Sequence, residues 1–344
     1  MRIKFLLSGF IASSASFALA ACATALQAPQ AATPDASSGT ATRASSTCLS
    51  SPCVYVANQD YALSSVTIYP LDATGNTAPI GQISGDRTQL DNVTAVAVDA
   101  DRNVYAGGSL NGPGRITVYS PGAHGNVAPA RFIHGRHTGL DTADGITVDA
   151  KGDIYVANGS YFCGGGVLVF APGANGDATP IRTIAGDKTR LCHAAGIAVD
   201  KTGEIYVSNI ASVSPSVNVY AGDANGDASP IRRITGSHTE FGDPTGIALD
   251  AQGRIYVSDF GGVYVFRAGA NGNVAPIRAV HGSRDDLKDT FGIALDTNSE
   301  LYATKYPPSG VNVYAAGADG DVAPIRAIDG SKTRLHDPVG VAIR

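Results

Sequence analysis

The sequence predicts an all-β fold: a six-bladed β-propeller of four-stranded antiparallel blades, with the ring closed by the C-terminal strand pairing into blade one. Three observations carry this. A Tyr in an "IYV"-like step recurs at Tyr55, Tyr105, Tyr155, Tyr206, Tyr256 and Tyr302, a period near 50 residues that marks a repeat architecture. A second aromatic, at Tyr69, Tyr119, Phe170, Tyr220, Phe266 and Tyr314, stands 36 residues before the next Tyr of the first series wherever that Tyr exists. The chain then ends on "HDPVGVAIR" (336–344), which opens a further repeat and stops six residues before its Tyr would fall.

Each unit carries four apolar runs rich in Ile, Val and Tyr, too short for helices and bounded by turn residues. In the unit at 195–244 they read A "GIAVD", B "IYVSN", C "SVNVY" and D "PIRRI". Between A and B, Asp200 and Gly203 frame a tight "DxxG" turn; between C and D, Gly226-Asp227 is a hairpin signal. A Pro opens every D run (Pro79, Pro129, Pro180, Pro230, Pro276, Pro324). Lacking an N–H, Pro is tolerated at an edge strand or a strand's first residue, so D is expected outermost. Four antiparallel strands repeated radially make a propeller blade.

The ends complete the count. "CVYVAN" (53–58) is a B run with no A run before it, and "VGVAIR" is an A run with no B run after it. Joined, they make blade one and leave no open sheet edge at the seam. Arg344 falls in the slot that Asp99, Asp149, Asp200, Asp250 and Asp296 hold in other units, and Leu49 falls in the same slot counted back from Tyr55. The two termini of the domain are therefore expected to meet at one A–B turn.

Composition agrees. Only 16% of residues are charged, and three of the acids are Glu, so nearly all acid is Asp; with 41 Gly, the chain favours turns over helices. The net charge of −5 offers no basic surface to displace counterions, and no nucleic-acid partner is expected.

With these residues in view, "DPTGIALDAQGRIYVSD" (243–259) resembles the NHL repeat, whose units begin P-x-G-[IV]-A-[VL]-D-x-x-G-x-[IL]-Y-V. The resemblance spans 53–344; it is weakest in the split blade one and in blade two, where Ala95 replaces the Gly and "YAGG" replaces "YVAN". It implies a six-bladed propeller and says little of activity, since such propellers include scaffolds, binding domains and a few metal-dependent enzymes.

Residues 1–21 read as an export signal: Arg2 and Lys4, then an apolar stretch rich in Ser. The signal ends in "LAAC", which resembles the bacterial lipobox and implies cleavage before Cys22 and a lipid on its thiol. The other reading is ordinary cleavage near Ala21 with Cys22 unmodified. Residues 22–47, rich in Ala, Thr, Ser, Pro and Gln, cannot bury enough surface to fold and are expected to be a flexible tether; 48–344 is the propeller. The chain is thus expected to be an exported, membrane-anchored lipoprotein of the bacterial cell envelope, touching the bilayer through its lipid alone.

The B–C and D–A connections share one face, and the B–C loops hold all the length variation, so binding is expected there. Tyr161, Phe162, Phe260 and Tyr306 sit in those loops as candidate partner anchors. Near the axis of this face, the residues before the Gly of A are Thr94, Asp144, Ala195, Thr245, Phe291 and Val339, and the B runs end in Asn58, Gly108, Asn158, Asn209, Asp259 and Lys305. Asp144, Asn158, Asn209 and Asp259 could offer oxygen to a hard cation such as calcium. The gluconolactonase-like propellers, similar in blade number, hold one calcium with Glu, Asn and Asp. Here Glu204 and Glu300 fall in A–B turns on the opposite face, Phe291 and Val339 offer no ligand, and Lys305 would oppose a cation. No metal or other cofactor is therefore expected. A ring of D–A loop residues (Arg87, His137, Lys188, His238, Arg284, Lys332) reads as solvated, "DANGDA" (223–228) as a turn, and His193 as a loop residue with no metal partner.

Four cysteines remain after Cys22, and export permits disulfides. Of the three pairings, Cys48–Cys53 with Cys163–Cys192 places each pair on one face. The reading is a binding or scaffold module for a protein or glycan of the envelope; the alternatives are a calcium-dependent hydrolase or lyase and a purely structural envelope component.

Overall fold

Every B run forms a strand buried on both faces, because each blade is sandwiched between two others. That is why these runs are continuously apolar and do not alternate. The computed structural model describes residues 47–60, 63–109, 113–160, 164–211, 214–282, 287 and 289–344.

Six antiparallel sheets of four strands follow the order A-B-C-D. Blade two is Val93–Val98, Val104–Gly108, Arg115–Tyr119 and Arg131–Ile133. Blade three is Thr142–Val148, Ile154–Gly159, Gly166–Phe170 and Arg182–Ile184, and blade four is His193–Val199, Ile205–Ile210, Ser216–Tyr220 and Arg232–Ile234. Blade five is Ile247–Leu249, Ile255–Asp259, Gly262–Phe266 and Arg278–Val280, and blade six is Ile293–Leu295, Leu301–Lys305, Gly310–Tyr314 and Arg326–Asp329. D is the outer strand, as its Pro requires.

Blade one is built from both ends. Pro338–Ile343 supplies its A strand beside Cys53–Asn58, Ser65–Pro70 and Gly81–Ser84, in the register Val54↔Ile343 through Ala57↔Gly340. The termini meet at one A–B turn: Cys53 N donates to Arg344 O at 2.7 Å, and Arg344 N donates to Cys53 O at 3.1 Å. The predicted closure is therefore borne out.

Apolar packing falls between blades. Val54, Val56 and Tyr69 of blade one pack with Tyr302, Val313 and Ile328 of blade six, and Val341 of the closing strand joins them. Tyr155, Ala157 and Val169 of blade three likewise pack with Ile197, Ile205 and Tyr220 of blade four. The B-strand Tyr carries the guanidinium of its blade's D strand over its ring, as in Arg182 over Tyr155 at 5.5 Å and Arg326 over Tyr302 at 6.0 Å. Blade one has Gly81 in that Arg slot. The neighbouring Arg102 reaches the seam instead, donating from Nη1 to Cys48 O at 2.5 Å, Ser51 O at 3.0 Å and Arg344 O at 3.3 Å. The Cys48–Cys53 disulfide lies at the same seam, as the sequence suggested.

The C–D connection differs from the expected hairpin. Its Gly leaves its own blade and forms a parallel bridge to the D strand of the preceding one: Gly125↔Ile83, Gly176↔Ile133, Gly226↔Ile184, Gly272↔Ile234, Gly320↔Val280 and, across the seam, Gly75↔Ile328. The Asn or Asp after the Gly accepts from that blade's D–A loop: Asn76 Oδ1 from Lys332 N at 2.6 Å, and Asp227 Oδ1 from Lys188 N at 2.6 Å. "DANGDA" is thus an interblade clasp, with Asn225 Oδ1 accepting from Thr183 N at 3.0 Å. Gly-Asn has the same local preference in either role, so the sequence signal for a hairpin was ambiguous. The clasp also covers the D edge, and at Gly75 it ties the ring a second time.

Candidate binding site on the axial face

Around the axis the A strands are irregular where the sequence places their inward residues. The ladder slips between Val93 and Ala95, Ala143 and Gly145, Ala194 and Ile197, and opposite Ala57/Asn58. A bulge re-aims a side chain. Here Thr94, Asp144, Ala195 and Val339 line a cavity of about 310 Å³ on the B–C/D–A face. In blades five and six a hydroxyl from the B strand does comparable work: Ser258 Oγ accepts from Gly246 N at 2.7 Å, and Thr304 Oγ1 accepts from Gly292 N at 3.0 Å. Val96, Ile146, Ile197, Ile247, Ile293 and Val341, one from each blade, line the same cavity.

The four oxygen-bearing candidates are not brought together. Asn158 Oδ1 accepts from Asp141 N at 2.8 Å, Asn209 Oδ1 from Cys192 N at 2.6 Å, and Asp259 Oδ2 from Gly242 N at 2.8 Å and Asp243 N at 3.0 Å. Asn58 Oδ1 repeats this across the seam, accepting from His336 N at 3.1 Å. These side chains fasten the D–A loops to the B-strand ends; of the four, Asp144 alone lines the cavity. Burial pushes the Asp259 carboxyl up, against the pull of its three backbone donors. Among the described residues no three His, Cys, Asp or Glu side chains converge as a metal site. Glu204 and Glu300 are held by D-strand arginines, at 2.5 Å from Arg232 Nη2 and 2.6 Å from Arg326 Nη2.

Two placements correct the sequence reading. Lys305 does not join the axial ring; its Nζ pairs with Asp329 Oδ2 at 3.1 Å on its own blade's D strand. His193 is not a free-standing loop residue but the first residue of blade four's A strand, and its Nε2 donates to Asp144 Oδ2 of blade three at 2.8 Å. No spacing rule could have linked these two, because they are 49 residues apart and meet only through the ring.

The Asp144 hydrogen bond raises the His193 pKa above its ordinary value; burial opposes this, and a backbone hydrogen bond to Ser160 adds to it. The sign follows from linkage. A histidine whose pKa rises on folding stabilises the fold fully below about pH 6.5, and the contribution is lost as pH climbs through the folded midpoint. Proton NMR titration should therefore place the His193 midpoint above about 6.5. Asp144→Asn should bring it down, since the negative charge that favours the protonated ring is gone while burial remains. An unmoved midpoint would mean that the pair is not the cause.

Of the partner anchors, Phe260 and Tyr306 are exposed, at 40% and 45%. Phe260 meets the cavity residue Phe291 edge-on, with ring centroids 6.0 Å apart and planes at 87°. Tyr161, Phe162 and Cys163 lie outside the described residues, as do Cys22 and Arg284. Cys192 is disulfide-bonded. Arg87, His137, Lys188, His238 and Lys332 are exposed, and the His137 ring bonds Asp177 at 2.7 Å.

No protein-family model matches the chain, and no curated protein matches it. Solved structures do. A chain in a crystal structure of a nidogen/laminin complex is similar at 14% identity and a TM-score of 0.57, covering 85% of this chain and 98% of that one. A protein of unknown function from Bacteroides caccae is similar at 10% identity and 0.58, with the same coverage. A putative 6-phosphogluconolactonase from Bacteroides uniformis is similar at 15% identity and 0.54, covering 84% of each chain. The likeness is one of fold.

Proposed function

We propose that this protein is a lipid-anchored, extracytoplasmic NHL-like propeller of the bacterial cell envelope that binds a protein or glycan partner through its B–C/D–A face. The observation that carries the reading is the pair of exposed aromatics, Phe260 and Tyr306, on a rigid ring. Aromatic anchors dominate interface energetics, and an anchor already packed in place loses little entropy on binding. Contact with Phe291 holds Phe260 in that way. The calcium-dependent hydrolase has less support, since three of its four candidate ligands are engaged by backbone N–H groups. Similarity to a putative 6-phosphogluconolactonase bears on shape, and that protein's activity is its own.

One experiment tests anchor and surface together. Cys22→Ser should leave the membrane fraction after a high-salt wash, because the thiol that carries the lipid is gone. The released protein then serves as bait on solubilised envelope. Phe260→Ala with Tyr306→Ala should reduce the catch at least about tenfold, near 1.4 kcal/mol, with an unchanged melting curve. A catch that survives both substitutions removes the proposed surface, and a membrane-bound Cys22→Ser variant removes the anchor.

A further inference from the structure

The exposed large apolar residues of the described chain fall on two faces. Leu63, Phe260 and Tyr306 stand on the B–C/D–A face. Leu49, Ile181, Ile231, Ile277 and Ile325 stand at the opposite end, that of the A–B turns and C–D connections, each between 38% and 52% exposed. The four isoleucines share one level of the ring, because each opens the same rung of its blade. Ile181 donates its N–H to Val169 O, Ile231 to Val219 O and Ile325 to Val313 O at 2.8 Å, and Ile277 to Val265 O at 2.7 Å. In blade one this slot holds Ile80, which lines one small pocket with Leu49, and in blade two it holds Ala130. A single exposed isoleucine needs no explanation. The same slot left bare and apolar on the outer strand of four consecutive blades does, since natural proteins blunt such edges with charge.

The chain itself points to what covers this ring. The described residues begin at Thr47 on the same face, where Cys48 is bonded to Cys53 and its carbonyl accepts from Arg102 at the seam. An anchor on the residues before Thr47 therefore draws this face, and not the aromatic one, towards the surface that holds it. We propose that the A–B/C–D face rests on the lipid surface that carries the anchor, with Leu49 and the four isoleucines as its apolar contacts and the B–C/D–A face turned outward to the partner. This rests on the N-terminal anchor proposed above and adds a protein contact to that of the lipid chain. Each contact is weak alone. A flexible tether, however, holds the propeller near the surface at an effective concentration in the millimolar range, so an intrinsic affinity of that order suffices. Acids outnumber bases in the A–B and C–D connections, so attraction to anionic lipid is opposed and the docking is apolar.

The sequence has no Trp, so one introduced Trp reports its own surroundings. The chain from Ala23 onward, tagged with histidines at its N-terminus, is held on phosphatidylcholine vesicles by a nickel-chelating lipid in place of the lipid on Cys22. Ile231→Trp should move its emission to the blue and lose intensity to brominated phosphatidylcholine, while Tyr306→Trp on the other face keeps both. Leu49→Ser with Ile181→Thr, Ile277→Thr and Ile325→Thr should abolish the quenching of the Ile231→Trp probe with an unchanged melting curve. Where the fourfold variant melts early, the comparison of the two Trp positions decides alone. Equal emission from both positions with and without brominated lipid overturns the proposal, as does stronger quenching of Tyr306→Trp. Quenching that grows with added phosphatidylglycerol and fades with salt overturns it too, because the contact would then be one of charge. The nickel lipid supplies the attachment, so a negative result here leaves the Cys22 anchor standing. A Cys22→Ser variant that stays on membranes would overturn the anchor alone.

Discussion

Deleting residues 340–344 is expected to lower the melting temperature by about 10 °C or more. The segment is the greater part of blade one's inner strand, and it pairs with Val54, Tyr55, Val56 and Ala57. Its removal strips that ladder from a B strand in which these four residues are at most 4% exposed. Val341 leaves the core between blades six and one, costing about 1.5–3 kcal/mol. The lost backbone bonds, including both between Cys53 and Arg344, add about 1 kcal/mol each. Arg102 also loses an acceptor at the seam. The total is at least about 5 kcal/mol against a typical domain stability of 5–15 kcal/mol. The Gly75↔Ile328 clasp keeps a second tie across the seam, so unfolding should begin at blade one. Thermal and urea unfolding of the two proteins measure this; a truncated chain melting within a few degrees of the full one would refute closure as a source of stability.

Gly246→Ala should cost about 3 kcal/mol, several times a typical surface change. A Cβ there would lie 2.4 Å from Phe291 O, 2.8 Å from Ser258 Oγ and 3.2 Å from Ile293 N. The first and third are backbone of the next blade and cannot rotate aside. The A strands approach one another around the axis, and only a hydrogen fits where blade five faces blade six. Relief by moving Phe291 would deform the cavity wall, so the variant should lose stability. Ala95→Gly is the informative control: blade two already holds a methyl group in this slot, so its removal should shift stability little. Urea unfolding with an unchanged m-value assigns the loss to the folded state. A Gly246→Ala variant within about 0.5 kcal/mol of the parent would show that the axis is looser than the distances state.

Much of the candidate site was legible in outline. The residues before the Gly of each A run were placed at the axis by repeat alignment, and the cavity they line is there. The roles of the polar residues were not legible. Asn158 and Asn209 carry the atoms of metal ligands, but the D–A loop returning over the B-strand end takes those atoms for its own N–H groups. A side chain's type states what it can bond; the chain that passes nearest decides what it does bond.

By itself the sequence determined the blade count, the strand order, the outer position of D and the closure by the C-terminal strand. All of these follow from periodicity, turn chemistry and the need to leave no bare edge, which act within one repeat or along one strand pair. Only the tertiary structure decided the contacts between strands that are not neighbours in the repeat: the Gly-Asn clasp onto the preceding D strand, Arg102 at the seam, Lys305 turned to Asp329 within blade six, and His193 on Asp144. The physical reason is common to all four. Each joins residues on different blades or strands through space, at a distance set by how the repeats pack around the axis. A repeat read along its own length carries no record of the neighbour that fills its open bonds.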